Sequence, residues 1–319
     1  MSSQGNPRVV CLGGGHGLAA TLAAVRKLTN EITAIVTVAD NGGSSGRLRQ
    51  EFPIFPPGDL RMALAALCAD DEWGRSWADI LQYRFTSDGV LNGHAVGNLL
   101  LAALWDRDED PVVGLDRVAA LLKVVGRVLP MAATPLDIEA TFENAGVLQK
   151  VQGQVQVATA AGKLKSLHLV PDNPTALPVA LKAIEQADWI TVGPGSWFSS
   201  VLPHLLVDEQ RKSLSQCQAK RIIILNLDSH TDAQADEFAG NTPVEHLEML
   251  HKYAPEMKID HVLIDEAELE DGQRLQLLVE SFGGNLHVAD LRQFPGSLHH
   301  DVKKLISALS HIMDKSLVG

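Results

Sequence analysis

Blocks of apolar residues separated by glycine-rich or polar turns begin close to the amino terminus and predict alternating strands and helices. The run RVVCL at residues 8–12 is continuously apolar, GGGHG follows it, and residues 18–28 carry apolar side chains at helical spacing. The β-branched run EITAIVTV at residues 31–38 is typical of a second, buried strand. Strand, glycine turn, helix and strand in this order predict the opening of a parallel α/β sheet.

The rest of the chain shows three kinds of pattern. Helical spacing predicts four helices. One begins at Gly58–Asp59, one covers residues 77–85, one follows a cap at Asn92, and one covers residues 115–125. Residues 137–170 alternate apolar and polar side chains around glycines, which predicts a β-rich insertion. The first pattern then returns, with strands expected over 188–192, Arg221–Asp228, 259–264 and 286–288, and helices over 179–187 and 303–312. The prediction is one Rossmann-like, doubly wound, mostly parallel α/β domain over residues 1–319, with the β-rich insertion inside it.

Composition and charge exclude several classes of protein without changing this fold. The 319 residues are 45% hydrophobic and 21% charged, ordinary values for a chain that can bury a large core. Cys11, Cys68 and Cys217 are far apart, which argues against a disulfide framework or structural zinc and favours the cytoplasm. The net charge of −12 argues against nucleic acid as a partner. Neither a signal peptide nor membrane insertion is expected, because the apolar runs are short.

Ligands of doubly wound sheets bind where the strands end, so the turns after the strands are the candidate site. The first turn consists of Gly13, Gly14, Gly15, His16 and Gly17. It precedes a helix and can present backbone N–H groups to a phosphate. It departs from the G-x-G-x-x-G dinucleotide pattern, because Leu18 takes the third glycine position, and it lacks the Lys-Ser/Thr of a P-loop. A phosphate-binding turn and a plain tight turn both stay open.

The second turn combines an acid and an amide with small residues and arginines. Its members are Asp40, Asn41, Gly42, Gly43, Ser44, Ser45, Gly46, Arg47 and Arg49. Asp40 stands where an acid often binds a ribose hydroxyl, and a carboxylate there can equally hold a divalent cation. Glycine and serine offer N–H and O–H donors, and Arg47 carries charge that suits a phosphate. A solvated polar loop is the simpler alternative, but so much glycine and serine at a strand end favours binding.

Two further segments have a structural interpretation as well as a functional one. Asp59 can be a helix N-cap or a second carboxylate that faces Asp40 across a metal or ligand. Arg61, two residues on, adds local positive charge. His94 and Asn98 stand four residues apart and share one face of a predicted helix start. They can bind a sugar or base, or form hydrogen bonds within the protein.

The last candidate turn follows the strand over 188–192. Gly193, Gly195 and Ser196 place N–H groups and a hydroxyl at a helix start, and Asn226 can line the same crevice. A hydrolase triad is not predicted, because the fifth position of the G-x-S-x-G elbow is missing. Three phosphate-type turns in one crevice favour a ligand with more than one phosphate and a sugar. A nucleoside diphosphate or a nucleotide sugar has both.

In the same turns the chain resembles the gluconeogenesis factor (YvcK-like) family, which is related to the 2-phospho-L-lactate transferases (CofD-like). The resemblance runs from about Gly13 to His230 and is weaker beyond. It is carried by GGGHGL, ITAIVTVADNGGSSGRLR, PPGDLR, LNGHAVGNLLLAAL, GRVLPM and VGPGSWFSSVLPHLL. It implies a Rossmann-like fold, a cytoplasmic homodimer, and binding of UDP-sugars such as UDP-N-acetylglucosamine without an established catalytic activity. It also implies a role in cell shape and in growth on gluconeogenic carbon sources, through an unknown protein target in cell-wall control.

The transferase relatives imply a different activity for the same residues. They move a phospholactyl group from a guanosine-diphosphate donor to a deazaflavin with Mg²⁺, and acids matching Asp40 and Asp59 would hold the metal. Asn41 stands where many relatives have aspartate, which lowers the negative charge expected at a metal site. The prediction is a nucleotide-sugar-binding regulatory protein that requires no cofactor, in which Asp40, Asn41, His94 and Asn98 read ribose, base or sugar. A Mg²⁺-dependent transferase is the alternative, and an NAD-type dehydrogenase is disfavoured by the missing third glycine.

Overall fold

The structure is a computed structural model that describes residues 6–108, 110–227, 242–269 and 271–315. Its strands form a large sheet and a small one. The strands are β1 (Val9–Gly13), β2 (Ile32–Val36), β3 (Arg127–Pro130), β4 (Asp137–Asn144), β5 (Val147–Gln152), β6 (Lys163–Val170), β7 (Trp189–Val192), β8 (Lys220–Ile224), β9 (His261–Asp265) and β10 (Asn285–Ala289). The large sheet has seven strands in the order β10–β9–β8–β7–β1–β2–β3, and all its neighbouring strands are parallel.

Helices connect these parallel strands. They are α1 (Gly15–Val25), α2 (Gly43–Glu51), α3 (Pro57–Ala66), α4 (Glu72–Gln82), α5 (Val96–Arg107), α6 (Pro111–Leu122), α7 (Gln154–Ala158), α8 (Pro178–Gln186), α9 (Pro203–Leu206), α10 (Asp208–Gln216), α11 (Pro243–Tyr253), α12 (Gly272–Ser281) and α13 (Val302–Lys315). A π-helical turn covers Trp197–Val201, and a 3₁₀ turn covers Glu266–Glu268. No helix within the described ranges is long and apolar enough to cross a membrane.

The strands of the large sheet form the core of the molecule. Every residue of β1, β7 and β9 is buried. A parallel strand covered on both faces requires this, and it explains why these strands are read as continuous apolar runs rather than as alternating patterns. The large parallel sheet with its connecting helices confirms the predicted α/β fold class.

The order of the strands creates one point where the chain changes direction across the sheet. From β1 it runs outwards through β2 to β3, and it later returns to place β7 on the other side of β1. The connections after β1 and β7 therefore leave the same edge of the sheet in opposite directions. In folds of this class, ligands bind in the crevice that opens at such a switch point.

Residues 137–170 form the predicted β-rich insertion. Strands β5, β4 and β6 make an antiparallel sheet in that order, and α7 lies between β5 and β6 in sequence. The central strand alternates, with Ile138, Ala140 and Phe142 buried. Phe142 packs edge-on against Phe198 at a ring-centroid distance of 6.0 Å, which joins the small sheet to the π-helical turn. That the whole chain forms a single domain stays a prediction.

Several predicted element boundaries were wrong for local reasons. Helix α4 ends at Gln82, and the predicted Asn92 cap is not one, because α5 begins at Val96. Residues 83–95 instead form a loop held by an Arg84–Ala95 bridge. In the second turn, α2 begins at Gly43 although glycine and serine are poor helix formers. Asp228, the last residue of one predicted strand, and His230 lie outside the described residues.

Candidate functional site

A cavity of about 820 Å³ opens at the switch point of the large sheet. It is the size of a ligand-binding cleft. It is lined by the turn after β1, the turn after β2, the start of α3, the turn after β7, the residues after β8, α7 of the insertion, and a hairpin between β10 and α13. Seven segments of the fold therefore meet around one cavity. Four of them follow the strands β1, β2, β7 and β8, and each of these four contains residues that were predicted from the sequence.

The first glycine turn forms the floor of the cavity, where Gly14, Gly15, His16 and Gly17 line it. A Cβ on Gly14 would overlap the Asp59 carboxylate and the Thr37 methyl, and a Cβ on Gly17 would overlap the carbonyl oxygen of Pro194. These glycines are therefore required for the close approach of α1, α3 and the β7 turn. Gly13, also a candidate, accepts a hydrogen bond from Thr37 N at 3.0 Å and does not line the cavity.

The turn after β7 lines the cavity directly beside the first glycine turn, and Asn226 holds it in place. The Gly195 N–H donates to Asn226 Oδ1 at 2.9 Å, and Asn226 Nδ2 donates to the Gly195 carbonyl at 3.1 Å. Ser196 caps the π-helical turn, because its Oγ accepts from Ser199 N at 3.2 Å and from Ser199 Oγ at 2.7 Å. All three residues line the cavity, whereas Gly193 lies behind it. A π-helical turn often marks a functional site.

Asp40 and Asp59 bring two partly accessible carboxylates to the same cavity. Asp59 stands in the first turn of α3 and does not cap it, since Pro56 holds the cap position. Asp40 Oδ1 accepts from Gly42 N at 2.7 Å, and its backbone carbonyl accepts from Arg49 at 2.9 Å. The two acids form what we call the acidic pair.

The acidic pair has an unusual protonation equilibrium. Burial, followed by the charge of Asp40, raises the pKa of Asp59 to about 7, against the hydrogen bond from the Gly15 backbone and the charge of Arg61. Burial also raises the pKa of Asp40, opposed by hydrogen bonds from Gly42 and Ser45 and by the charge of Arg49. Two carboxyls that disfavour each other's ionisation can share a proton, hold a cation, or donate one hydrogen bond to a phosphate oxygen.

The insertion closes the cavity on the side of the second turn. Val155 N donates to Asn41 Oδ1 at 3.4 Å, and Gln154 Nε2 donates to Ser199 Oγ at 3.1 Å. Gly42 lines the cavity beside Gln154 and Val155, while Asn41 acts as their anchor. Asn41 therefore contacts the wall of the cavity rather than the space inside it.

Ser44, His94 and Asn98 come together away from the cavity. His94 Nδ1 and Ser44 Oγ lie 3.0 Å apart, and Asn98 Nδ2 donates to Ser44 Oγ at 3.0 Å. All three side chains are buried, and we call them the sealed cluster. Burial, with the charges of Arg47 and Arg84, lowers the pKa of His94, which keeps the imidazole neutral. The sealed cluster joins α2 to α5, so its polar atoms are largely used within the protein.

The remaining candidates also lie outside the cavity lining. Arg47 is exposed and donates to the carbonyls of Val90 and Asn92, and Gly43 is exposed at the start of α2. Ser45 accepts from Gly58 N at 3.0 Å behind the acidic pair. Arg61 is buried and bonds Gln82, and burial lowers its pKa to about 10. Neither Arg47 nor Arg61 therefore lines the cavity.

Sequence reasoning missed about half of the cavity lining. The missed residues that bear polar groups are Gln154, Thr159, Ser199, Ser200, Gln293, His299 and His300. Ser199 and Ser200 stand three and four residues after Ser196 in the turn after β7, so that turn was a usable signal. The hairpin residues Gln293, His299 and His300 follow no glycine turn that marks a strand end. His16 and His299 nevertheless meet across the cavity, with ring centroids 6.2 Å apart.

A divalent cation has a limited set of ligands at this site. Among the residues that the structure describes, no group of three or more His, Cys, Asp or Glu side chains could hold a metal ion. The acidic pair supplies two carboxylates. Mg²⁺ is commonly held by one or two carboxylates together with the phosphates of a ligand, so the pair fits Mg²⁺ delivered with a diphosphate.

Comparisons with known proteins agree along nearly the whole chain. Residues 9–308 match the family model described as 2-phospho-L-lactate transferase CofD. A Mycobacterium tuberculosis protein named for the gluconeogenesis factors is 44% identical over 314 residues, which cover 95% of this chain and 90% of that protein. The gluconeogenesis factor of Bacillus subtilis is 34% identical, over 86% of this chain and 84% of that protein. The crystal structure of a UPF0052 family member from Bacillus halodurans has a TM-score of 0.82 and 30% identity, covering 96% of this chain and 99% of that chain.

Fold and cavity together define a doubly wound α/β protein with a candidate ligand crevice at its switch point. Within that class, the chain belongs to the gluconeogenesis factor family and contains its CofD-type region. The family predicted from the sequence motifs is thus confirmed.

Proposed function

We propose that this protein is a regulatory protein that binds a nucleotide sugar of the UDP-N-acetylglucosamine type in the switch-point cavity. The observation that carries the proposal is the meeting of two backbone turns, Gly14–Gly17 and Gly195–Ser196, which lie side by side in the lining of one cavity. Each turn precedes a helical segment, and peptide N–H groups at such positions bind phosphate. A diphosphate laid across the two turns would meet the helix-start N–H groups of the first turn and the hydroxyl groups of Ser196 and Ser200 beside them.

The other end of the cavity suits the uncharged parts of such a ligand. Gln293 and His299 from the hairpin, and Gln154 and Thr159 from the insertion, offer amide, imidazole and hydroxyl groups. These groups match the hydroxyl, acetamido and base edges of a nucleotide sugar. The cavity is also large enough for a ligand of that size.

Isothermal titration tests this proposal directly. We expect UDP-N-acetylglucosamine to bind with micromolar affinity, and UMP and inorganic pyrophosphate to bind at least about 10-fold more weakly, because each fills part of the cavity. Asn226→Ala removes both hydrogen bonds that fix the Gly195 peptide, and we expect it to weaken binding by about 10-fold.

Gly89→Ala is the matched control, because Gly89 is exposed, outside the cavity, and only Ser87 Oγ would lie within 4 Å of the added Cβ. Lack of binding at millimolar UDP-sugar would overturn the proposal. Equal loss of binding in Gly89→Ala and Asn226→Ala would show that the cavity is not responsible.

A second candidate function is transfer of a phospholactyl group from a guanosine-diphosphate donor to a deazaflavin. It is favoured by the acidic pair and by the description of the matching family model. Asp40 and Asp59 would hold Mg²⁺, which when bound supplies positive charge to the bridging phosphates and stabilises the leaving group. The first glycine turn would orient the donor diphosphate.

Mass spectrometry separates the two candidates. A product of increased mass that forms from guanosine-diphospho-lactate and deazaflavin with Mg²⁺, and that is lost in Asp59→Asn, would support the transferase. Absence of product under conditions in which UDP-N-acetylglucosamine binds would reject the transferase candidate and leave the regulatory proposal as the remaining one.

The proposed physiological role is control of cell shape and of growth on gluconeogenic carbon sources, exerted in the cytoplasm on a protein of cell-wall synthesis. The names of the relatives at 34–44% identity support the gluconeogenic part of this role, whereas the cell-shape and cell-wall parts rest on the resemblance of the sequence motifs. Complementation of a deletion strain tests it. We expect the wild-type chain to restore growth on a gluconeogenic carbon source. Failure of the wild-type chain would overturn the role without bearing on ligand binding.

A further inference from the structure

Two histidine rings meet in the lining of the cavity, where the hairpin before α13 approaches the start of α1. His16 and His299 both line the cavity, and their ring centroids lie 6.2 Å apart with the ring planes tilted by 37°. Both residues are exposed. Imidazole rings are flat and have a π-face on which a nucleobase can stack. A planar aromatic group of a ligand therefore has a matching surface at this place.

Apolar side chains lie beside the two rings. Ala20 stands one helical turn after His16 on the same face of α1, and Val302 begins α13 three residues after His299. Leu298, which is 44% exposed, directly precedes His299. All three line the cavity, and we call them, with the two histidines, the hairpin arm. Flat rings and aliphatic groups suit a planar base better than a sugar, which needs a hydrogen-bond partner for each of several hydroxyls.

The hairpin arm is held in place by contacts within the protein. Arg292 Nε donates to the buried Asp265 at 3.0 Å, and its guanidinium also pairs with Glu268. Arg292 and His300 form an antiparallel bridge, and His300 has a hydrogen bond with the backbone of Leu225, directly after β8. A binding surface that is already positioned loses less conformational entropy when its ligand arrives.

The order of the strands separates the hairpin arm from the insertion. Through Leu225 the hairpin lies beside the end of β8, whereas α7 of the insertion is bonded to Asn41 after β2 and to Ser199 after β7. Strands β7 and β1, which carry the two glycine turns, lie between β8 and β2. A ligand whose diphosphate lies on those turns can therefore reach the hairpin arm with one end and the insertion with the other.

The insertion contributes a more polar surface than the hairpin arm. Gln154 has an amide and Thr159 a hydroxyl, and both residues line the cavity together with the apolar Val155. The Thr159 hydroxyl donates to the Val155 carbonyl at 2.9 Å, so its oxygen can still accept a hydrogen bond from a ligand. Thr159 is exposed. Amide and hydroxyl groups are the partners that the hydroxyls of a sugar require.

We propose that the hairpin arm is the base site of the cavity, where the nucleobase of a nucleoside diphosphate stacks on His16 and His299, and that the sugar at the other end lies against the insertion. This inference rests on the proposed function, because it assigns the two ends of the same ligand. Stacking tolerates every base, since each has a π-face. The hairpin arm therefore recognises that a base is present and leaves the choice of base to other groups.

Isothermal titration with UDP, UDP-N-acetylglucosamine and inorganic pyrophosphate tests the base site. We expect His299→Ala to weaken both nucleotides by about 10-fold and to leave pyrophosphate, which has no base, unchanged. His299→Phe keeps a flat ring and should stay within about threefold of the wild type for both nucleotides. His311→Ala is the matched control, because His311 is an exposed histidine of α13 outside the cavity lining, and it should change no affinity.

The orientation of the ligand is tested at the insertion. Thr159→Ala should weaken UDP-N-acetylglucosamine by about threefold and leave UDP unchanged, because UDP has no sugar beyond its diphosphate. Two results would overturn the base site. Loss of UDP-N-acetylglucosamine affinity in His299→Ala without loss of UDP affinity would place the sugar on the hairpin arm. Equal losses in His299→Ala and His299→Phe would show that a hydrogen bond, rather than stacking, is made there.

The same titrations separate this inference from the proposed function. If the wild-type chain binds UDP-N-acetylglucosamine and His299→Ala changes no affinity, the base site is wrong and the proposed function stands. If the wild-type chain binds UDP in a manner that depends on His299 but does not bind UDP-N-acetylglucosamine, the choice of a nucleotide sugar is wrong and the base site stands. A chain that binds neither nucleotide overturns both.

Discussion

The acidic pair and the sealed cluster stand on opposite sides of the first turn of α2, and they use their polar atoms in different ways. Ser45 turns towards Asp40, on the side of the cavity, whereas Ser44 turns towards His94 and Asn98. Both acids of the acidic pair line the cavity and have raised pKa values, which a bound ligand can change. The sealed cluster bonds mainly within itself. Ser44 and Ser45 are neighbours in sequence, yet one bonds within a buried cluster and the other contacts an acid that lines the cavity.

The largest expected effect tests whether the cavity side alone binds the ligand. A Cβ in Gly14→Ala would overlap Asp59 and Thr37, so the turn must move away from the acidic pair. We expect affinity for UDP-N-acetylglucosamine to fall by about 100-fold, about 2.7 kcal/mol. Asn98→Ala, on the sealed side, should change it less than about threefold. Similar losses of affinity in Gly14→Ala and Asn98→Ala would show that ligand binding does not depend on the cavity side alone.

The next effect concerns the pH dependence of stability. Because the folded pKa of Asp59 is about 7 and its ordinary value is near 4, its contribution to stability is full below pH 4 and is lost as the pH rises through 7. Asp59→Asn should therefore raise the free energy of unfolding by up to about 4 kcal/mol at pH 8 and by only about 1 kcal/mol at pH 5. Urea unfolding at both pH values measures this. An Asp59→Asn variant that is destabilised equally at both pH values would show that burial does not disfavour the ionised Asp59 carboxylate.

A smaller effect is expected on the sealed side. Ser44→Ala removes the hydroxyl that accepts from Asn98 and bonds His94, which leaves buried polar atoms without their partner. The free energy of unfolding should fall by about 1–2 kcal/mol at both pH 6 and pH 8. Thr159→Ala, a loss of a hydroxyl in the cavity lining, is the comparison and should cost less than about 1 kcal/mol.

The smallest effect is expected at Arg47. Its guanidinium is exposed and donates to the backbone carbonyls of Val90 and Asn92. Arg47→Ala should lower the free energy of unfolding by less than about 0.5 kcal/mol and leave ligand affinity unchanged. Calorimetry with UDP-N-acetylglucosamine checks the second part. A loss of affinity above about fivefold would place Arg47 in the site after all.

The parts of the site that could be predicted from sequence are those fixed by strand ends. Gly14, Asp40 and Gly195 follow apolar strands, and parallel strands end at one edge, so their meeting is a consequence of topology. The sealed cluster contains predicted residues too, but the sequence could not show which way their side chains face. Four-residue spacing correctly grouped His94 with Asn98, although His94 precedes α5 rather than lying on it.

The remaining parts depend on tertiary packing that leaves no local mark. Helix α2 forms from residues of low helix propensity, because its first turn is held by Asn98 and by the Gly46 N–H bond to the Gly42 carbonyl. The hairpin reaches the cavity because buried Asp265 and Glu268 bind Arg292, more than twenty residues away. Such long-range ion pairs cannot be read from a pattern of hydrophobic positions.

Two segments that lie far apart in the sequence line this cavity, and their separation has a consequence for the synthesis of the protein. Gly14 follows β1 and His299 lies in the hairpin before α13, yet both line the same space. The ribosome therefore makes the floor first, and the wall at His299 appears only after about 285 further residues have been added. An incomplete chain therefore lacks the complete cavity, and a ligand that needs every wall stabilises only finished molecules. Metabolite supply would then influence how much of the newly made protein survives, in addition to what the mature protein does.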